Sequence, residues 1–234
     1  MTRSVTTKTT SPTREPVTQE RAIRVAVALA DAGGIASLSM RKLAGELGVE
    51  AMSLYYHVKN KDELLDGMVG LVVSEMAVPA ADAEWKPAMR ERSESARSVL
   101  KRHPWAISEI DARNTPATLH YLNATIGCLV AAEFSIPLAA HTMSLVDSYV
   151  HGFALQESSL PLDESGDIGA VTENVLAQQE MMAGANPHLA RMATELILQP
   201  GYAYGNEFAF GLGIILDGIE ASLVAEKAAE GRDR

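Results

Sequence analysis

The stretch LSMRKLAGELGVEAMSLYYHVKNKDELL, residues 38–65, constrains the chain more than any other. Ser39 is an N-cap whose hydroxyl satisfies an early backbone N–H. Leu43, Ala44 and Leu47 then recur at the spacing of one helical face, while Arg41 and Lys42 stay in water. Gly48 ends that helix in the left-handed conformation that glycine adopts cheaply. Val49 plugs the turn, and a second short helix is predicted over residues 51–58, with Leu54 and Val58 on its buried side. Asn60-Lys-Asp-Glu63 has the form of a capping box and opens a further helix through Leu64, Leu65, Met68, Val69, Val72 and Met76. With a first helix over about 18–31, capped by Thr18, this spacing predicts a three-helix helix-turn-helix unit followed by a connecting helix.

On the wheel of the second short helix, Met52 and Tyr56 lie opposite Leu54 and Val58, with Ser53 and His57 on one flank and Ala51 and Tyr55 on the other. Packing three helices together does not require two adjacent tyrosines and a histidine outside. A short rigid element backed by a partner helix has the geometry to enter a DNA major groove, and Lys59 and Lys61 follow where phosphates would lie. The net charge of −10 speaks against a nucleic-acid partner until its distribution is read. Residues 1–62 hold nine Lys/Arg and six Asp/Glu, leaving eleven and twenty-four for the rest, so the halves carry +3 and −13. A DNA-binding head on an acidic body has this asymmetry.

Beyond this stretch, plentiful Ala, Leu and Met and few β-branched clusters between turn pairs predict an all-α fold. A hydrophobic content of 47% over 234 residues suffices for a sizeable core. The expected organisation is a disordered Thr/Ser/Pro-rich arm at 1–16, a DNA-binding head with its connecting helix at 17–78, and a larger helical body at 79–234. Body helices are expected near 85–102, 116–132, 137–157, 168–183 and 206–232, with a short segment at 105–112 and another helix opened by Pro187. The lone Cys128 excludes an internal disulfide and reads as a small buried hydrophobe in a reducing cytoplasm. The first residues lack the apolar core of a secretory signal, and no run of eighteen apolar residues occurs, so a cytoplasmic location with no membrane span is expected.

The residues 38–68 resemble the DNA-binding domain of the tetracycline-repressor (TetR) family, in register through the LGVE turn, the LYYHVKNK run and the following LLD. The resemblance implies a double-stranded DNA operator read by Met40, Arg41, Ala51, Met52, Ser53, Tyr55, Tyr56, His57 and Lys61. Arg41 would reach a guanine, Ser53 and Tyr55 bases or phosphates, Tyr56 thymine methyls or backbone, and His57 and Lys61 phosphates. Ala51-Met52 stands where tetracycline repressors carry Gln-Pro, which implies a different operator.

The resemblance also implies a homodimer and a small-molecule inducer bound in the body. The stripe Phe208, Leu212, Ile215, Ile219 and Leu223 on the last helix is the expected dimer interface, with a core within one chain as its alternative. Met89, Trp105, Asn123, Met143, Asp147 and His151 are the expected pocket residues; equally, Asp147 and His151 could pair with each other or cross the interface. The positions of the tetracycline repressors' metal-binding His and Glu fall at Glu109 and Gln156, so no metal and no other cofactor is expected. No GxSxG, phosphate loop or Cys-His-Asp cluster is present, and an enzyme is not expected. The alternative to a ligand-released repressor is an architectural or protein-interaction helix-turn-helix without a ligand switch.

Overall fold

Thr18 accepts from the N–H of Arg21 and starts α1, Gln19–Gly33, which ends two residues beyond the expected 31, where Gly34 takes φ 73°. The computed structural model describes residues 16–160 and 184–231, so the expected arm over most of 1–16 and the expected helix at 168–183 lie outside the described residues. A short 3₁₀ turn, Ile35–Ser37, leads to α2, Met40–Leu47, capped by Ser39 through the N–H of Lys42. Gly48 takes the left-handed conformation, φ 69° and ψ 34°.

Helix α3, Ala51–Leu54, is shorter than the expected 51–58. The N–H groups of Tyr56 and His57 bond three residues back, to Ser53 and Leu54, so the last turn tightens, while Val58 still reaches the Leu54 carbonyl. Bulky Tyr55, Tyr56 and His57 therefore stand on a turn that extends the helix. Asn60 then caps α4, Lys61–Ser74, accepting from the N–H of Glu63 at 2.8 Å. Glu63 reaches back to the N–H of Lys59 at 2.7 Å, one residue earlier than a regular capping box would place it.

The apolar positions of α4 step in pairs, Leu64-Leu65, Met68-Val69 and Val72-Val73, and all six are buried. One wide stripe can therefore pack on two partners. Toward the head, α4 lies along α1 so closely that a side chain at Gly67 would collide with Ile23. Toward the body it meets α6, Ile107–Ile110, and α7, Pro116–Ala131. A continuous apolar cluster consequently runs from Ala22 in α1 to Leu223 in the last helix.

Around α4 the body places α5, Trp85–Arg102, against α8, Ile136–Ser159, its most extensive partner. Thr115 with Pro116, and Ser135 with Pro137, start α7 and α8. After a short α9, Pro187–Met192, the chain ends in α10, Asn206–Glu230. Tyr149 of α8 donates to the carbonyls of Glu207 and Phe208, a seat that a side chain at Gly211 would fill, whereas Gly218 faces open space.

The expected dimer stripe on α10 requires correction. Phe208, Leu212, Ile219 and Leu223 are 1%, 0%, 5% and 6% exposed within one chain, and Ile215 packs partly buried against the same core. The alternative of an intrachain core holds for them, because side chains already enclosed by α5 and α8 have no surface left for another subunit. The apolar residues α10 presents outward are Phe210, Ile214 and Val224. Over Asn206–Ala229 this helix is also long and apolar enough to cross a membrane by length and composition, a property the expected absence of a span did not allow for. Its inner face is the wall of this core.

Charged side chains bolt the body together. Arg92, 1% exposed, donates to Asp147 at 2.7 Å and to Thr125 at 3.0 Å. Replacing Asp147 with Leu strands that guanidinium and should cost about 3 kcal/mol in chemical denaturation, while Arg92→Met in the same chain should recover most of the loss. Glu157 is buried, which by itself would raise its pKa, but hydrogen bonds from Arg97 and Lys101 outweigh burial and hold it below the usual carboxylate range. A depressed carboxylate stabilises the fold above its unfolded pKa and loses that contribution as pH falls through the folded one. Urea unfolding should therefore show Glu157→Gln less stable than the parent at pH 7, with the gap narrowing only as pH falls below 4.5.

Candidate nucleic-acid interface and effector cavity

Leu54 and Val58, 0% and 1% exposed, clamp α3 and its following turn onto α2 and the core of the head. That fixes which side chains must project. Met52 is 73% and Tyr56 89% exposed, and Ser53, Tyr55, His57, Arg41 and Lys61 are also exposed. Met40 and Ala51 are half-buried and pack against the core of the head, so they hold the reading surface rather than forming its tip. The departure from the tetracycline-repressor pattern therefore concentrates on Met52, an unbranched apolar side chain pointed outward beside Tyr56. Such a pair suits the methyl groups and edges of bases in a groove, with the cations at either end suited to phosphates.

A second feature lies in the body. Helices α4 to α8 enclose a cavity of about 130 Å³, walled by Val73 and Met76 from the α4 side, Ala96 of α5, Tyr121 and Leu122 of α7, and Asp147, Val150 and His151 of α8. Arg113 and Asp111 stand at the α6–α7 corner. A larger hollow of about 620 Å³ is an open surface groove between residues 81–87, the end of α7 at Ala131 and Ala132, and Glu220 of α10.

Of the six expected pocket residues, Asp147 and His151 line the cavity. They do not pair with each other: Asp147 binds Arg92, and His151 lies 3.6 Å from Asp111. Met89 is fully buried in the core, Asn123 is exposed on α7, and Met143 packs against the core one turn before Asp147. Trp105 turns away and donates its indole N–H at 2.7 Å to Asp31, at the end of α1. His103 approaches the same carboxylate oxygen at 2.8 Å, so this pair joins body to head instead of lining a pocket. Glu109 and Gln156 are separately engaged, by Arg113 and by the Tyr204 hydroxyl.

Sequence reasoning missed Tyr121, Arg113 and Thr118. Thr118, Tyr121 and Thr125 recur at three and four residues, and such a polar stripe on an otherwise apolar helix was the available signal. Burial pushes the pKa of Tyr121 up to about 12, so its phenol keeps its proton. The Arg92 guanidinium lies over its ring, 4.4 Å from the centroid. Arg113 donates to Asp66 on α4 at 2.8 Å and to Glu109 at 3.2 Å, linking the rim of the cavity to the connecting helix.

An exposed helix-turn-helix reader joined by one helix to a body with an internal cavity defines a transcriptional regulator. The sequence matches the model described as "Bacterial regulatory proteins, tetR family" over residues 22–68 and "Tetracyclin repressor-like, C-terminal domain" over residues 78–223. The chain belongs to the TetR family of transcriptional regulators. It is 30% identical over 233 residues to the HTH-type transcriptional repressor DrrR1 of Streptomyces coeruleorubidus, covering 94% of this chain and 84% of that one. With the tetracycline repressor protein class E of Escherichia coli the identity is 26% over 209 residues, covering 88% and 92%. Among solved structures, the TetR family protein ActR of Streptomyces coelicolor in complex with actinorhodin superposes with a TM-score of 0.72 at 30% identity, over 88% of this chain and 97% of that one.

The exposed aromatic pair makes a direct prediction. Tyr56→Ala should abolish sequence-specific binding in fluorescence anisotropy against an operator duplex while leaving the oligomeric state unchanged. Lys61→Ala should weaken all duplexes alike and lower the slope of log affinity against log salt by about 1 per protomer.

Proposed function

We propose that the chain is a homodimeric repressor that holds a palindromic DNA operator and releases it when a small molecule occupies the body cavity. It acts as a cytoplasmic regulator and not as an enzyme. The observation that carries this reading is the position of α4. Val73 at its C-terminal end and Met76 just beyond line the cavity, Asp66 near its middle is held by Arg113 at the cavity rim, and its N-terminal cap directly follows the reading surface. At about 130 Å³ the cavity is smaller than the roughly 300–1,000 Å³ of typical ligand sites. A larger effector fits only by pushing its walls apart, and one of those walls is α4. Ligand affinity then differs between the two arrangements, which is the condition for a switch. The complex of ActR with actinorhodin supports a ligand-responsive body in a relative of similar fold.

Dimerisation is supported by the outward face of α8 and α10. Phe210, Ile214 and Val224 are 69%, 59% and 63% exposed, Gly218 and Ala221 lie on the same face, and α8 adds Leu145 and Leu155. Two heads spaced by a two-fold axis meet successive major grooves, which a single short reader does with far fewer contacts. Light scattering should give a dimer for the parent chain and a monomer for Phe210→Asp with Ile214→Asp, and the monomer should lose operator affinity at least about 100-fold, the loss expected when paired half-sites are no longer bound together. An operator complex with one chain per palindrome would defeat the dimer, and effector-saturated protein that still holds its operator would defeat the switch in favour of a module without one. Arg113→Ala should leave the dimer intact and shift the effector concentration needed for release, because α4 loses its tie to the rim.

A further inference from the structure

The cavity carries information about what it admits, on the reading that it is the effector site. Six of its walls are apolar: Val73, Met76, Ala96, Ile110, Leu122 and Val150. The arginines at and behind its walls are already matched. The Arg113 guanidinium is shared by Asp66, Glu109 and the Asp62 carbonyl, and Arg92 behind the wall by Asp147 and Thr125. An anionic ligand would bring charge into a low-dielectric space beside the carboxylates of Asp111 and Asp147, where both arginines are already spent and the remaining ring, His151, faces Asp111 at 3.6 Å. A cationic ligand meets an Asp147 whose charge is taken by Arg92, and an Asp111 that is 79% exposed at the rim, where water weakens any pairing.

Tyr121 differs from all of these. It is 8% exposed, and among the described residues its hydroxyl has no hydrogen-bond partner. The fully enclosed side-chain oxygen without a partner among those residues is Oγ1 of Thr142, so the Tyr121 hydroxyl is not sealed in protein. The space beside it is the cavity it lines. A neutral phenol that keeps its proton is a donor waiting for an acceptor, and a buried donor left unmatched penalises every ligand that lacks one.

We propose that the cavity selects uncharged effectors carrying an acceptor oxygen, such as a ketone or quinone carbonyl on an apolar ring, and that Tyr121 is the residue that reads that oxygen. Ligand hydroxyls adjacent to the carbonyl would find the second oxygen of Asp147 across the cavity. Ring systems larger than one ring would reach the same donor only with α4 displaced, which ties recognition to release.

Four single-ring probes of nearly equal shape test this in the full-length chain: acetophenone, cumene, benzoate and 1-phenylethylammonium, titrated by ligand-observed NMR at pH 7.5. Tyr121→Phe should weaken acetophenone up to about tenfold, the worth of one neutral hydrogen bond, and leave cumene within about twofold. Cumene thereby reports that the variant's cavity is intact. Both charged probes should bind the parent chain at least about tenfold more weakly than acetophenone. Equal losses for acetophenone and cumene would reduce Tyr121 to a wall and overturn its reading role, as would unchanged acetophenone affinity. A charged probe binding as tightly as acetophenone would overturn the selection for uncharged ligands. Failure of all four probes to bind would instead remove the cavity as an effector site, and this proposal with it.

Discussion

Helix α4 is stable because two different bodies cover one stripe of it. Leu64, Leu65, Met68, Val69, Val72 and Val73 are buried at once by α1 on the head side and by α6 and α7 on the other. Each such side chain contributes about 1.5–3 kcal/mol when removed from water, so neither head nor body releases α4 without losing much of its own core. On the proposed mechanism, the head would move with α4. Close packing interlocks the two helices, since Ile23 of α1 fills the space that a side chain at Gly67 would need.

Polar contacts are concentrated at the ends of this arrangement. Arg113 ties Asp66 of α4 to the α6–α7 corner, and Asp31 of α1 receives Trp105 and His103 from the body. Arg102 adds a 2.6 Å bond to Glu75, just past α4. These bonds contribute orientation more than net stability, because partly exposed charge pairs return little after desolvation. Between them sits the cavity, small in volume, with its arginines already paired and the Tyr121 hydroxyl without a hydrogen-bond partner among the described residues.

The helix-turn-helix was legible residue by residue because its determinants are local. Capping by Ser39 and Asn60, the left-handed Gly48 and the Leu54/Val58 face act over three or four residues, and each stands where the spacing placed it. The end of α3 was not, because shortening at Tyr56 and His57 comes from a competition between three- and four-residue hydrogen bonds that side-chain pattern does not encode. In the body, apolar periodicity on α10 was visible, yet both faces of that helix are apolar. Phe208 and Phe210 stand two residues apart and are opposite in fate, 1% and 69% exposed, and only the placement of α5 and α8 separates them.

By itself the sequence determined an all-α fold, the boundaries of most described helices to within a few residues, the exposed face around Tyr56, and a family pattern extending through the head. Those follow from short-range steric and hydrogen-bonding rules. The tertiary structure decided which of several polar side chains face one space. Trp105 and His103 went to the head, Arg92 took Asp147 from His151, and Tyr121, unremarkable on its helix, was left with its hydroxyl free among the described residues. Such assignments depend on contacts between residues 30 to 75 apart in the chain, where burial cost and charge pairing, rather than local spacing, choose the partner.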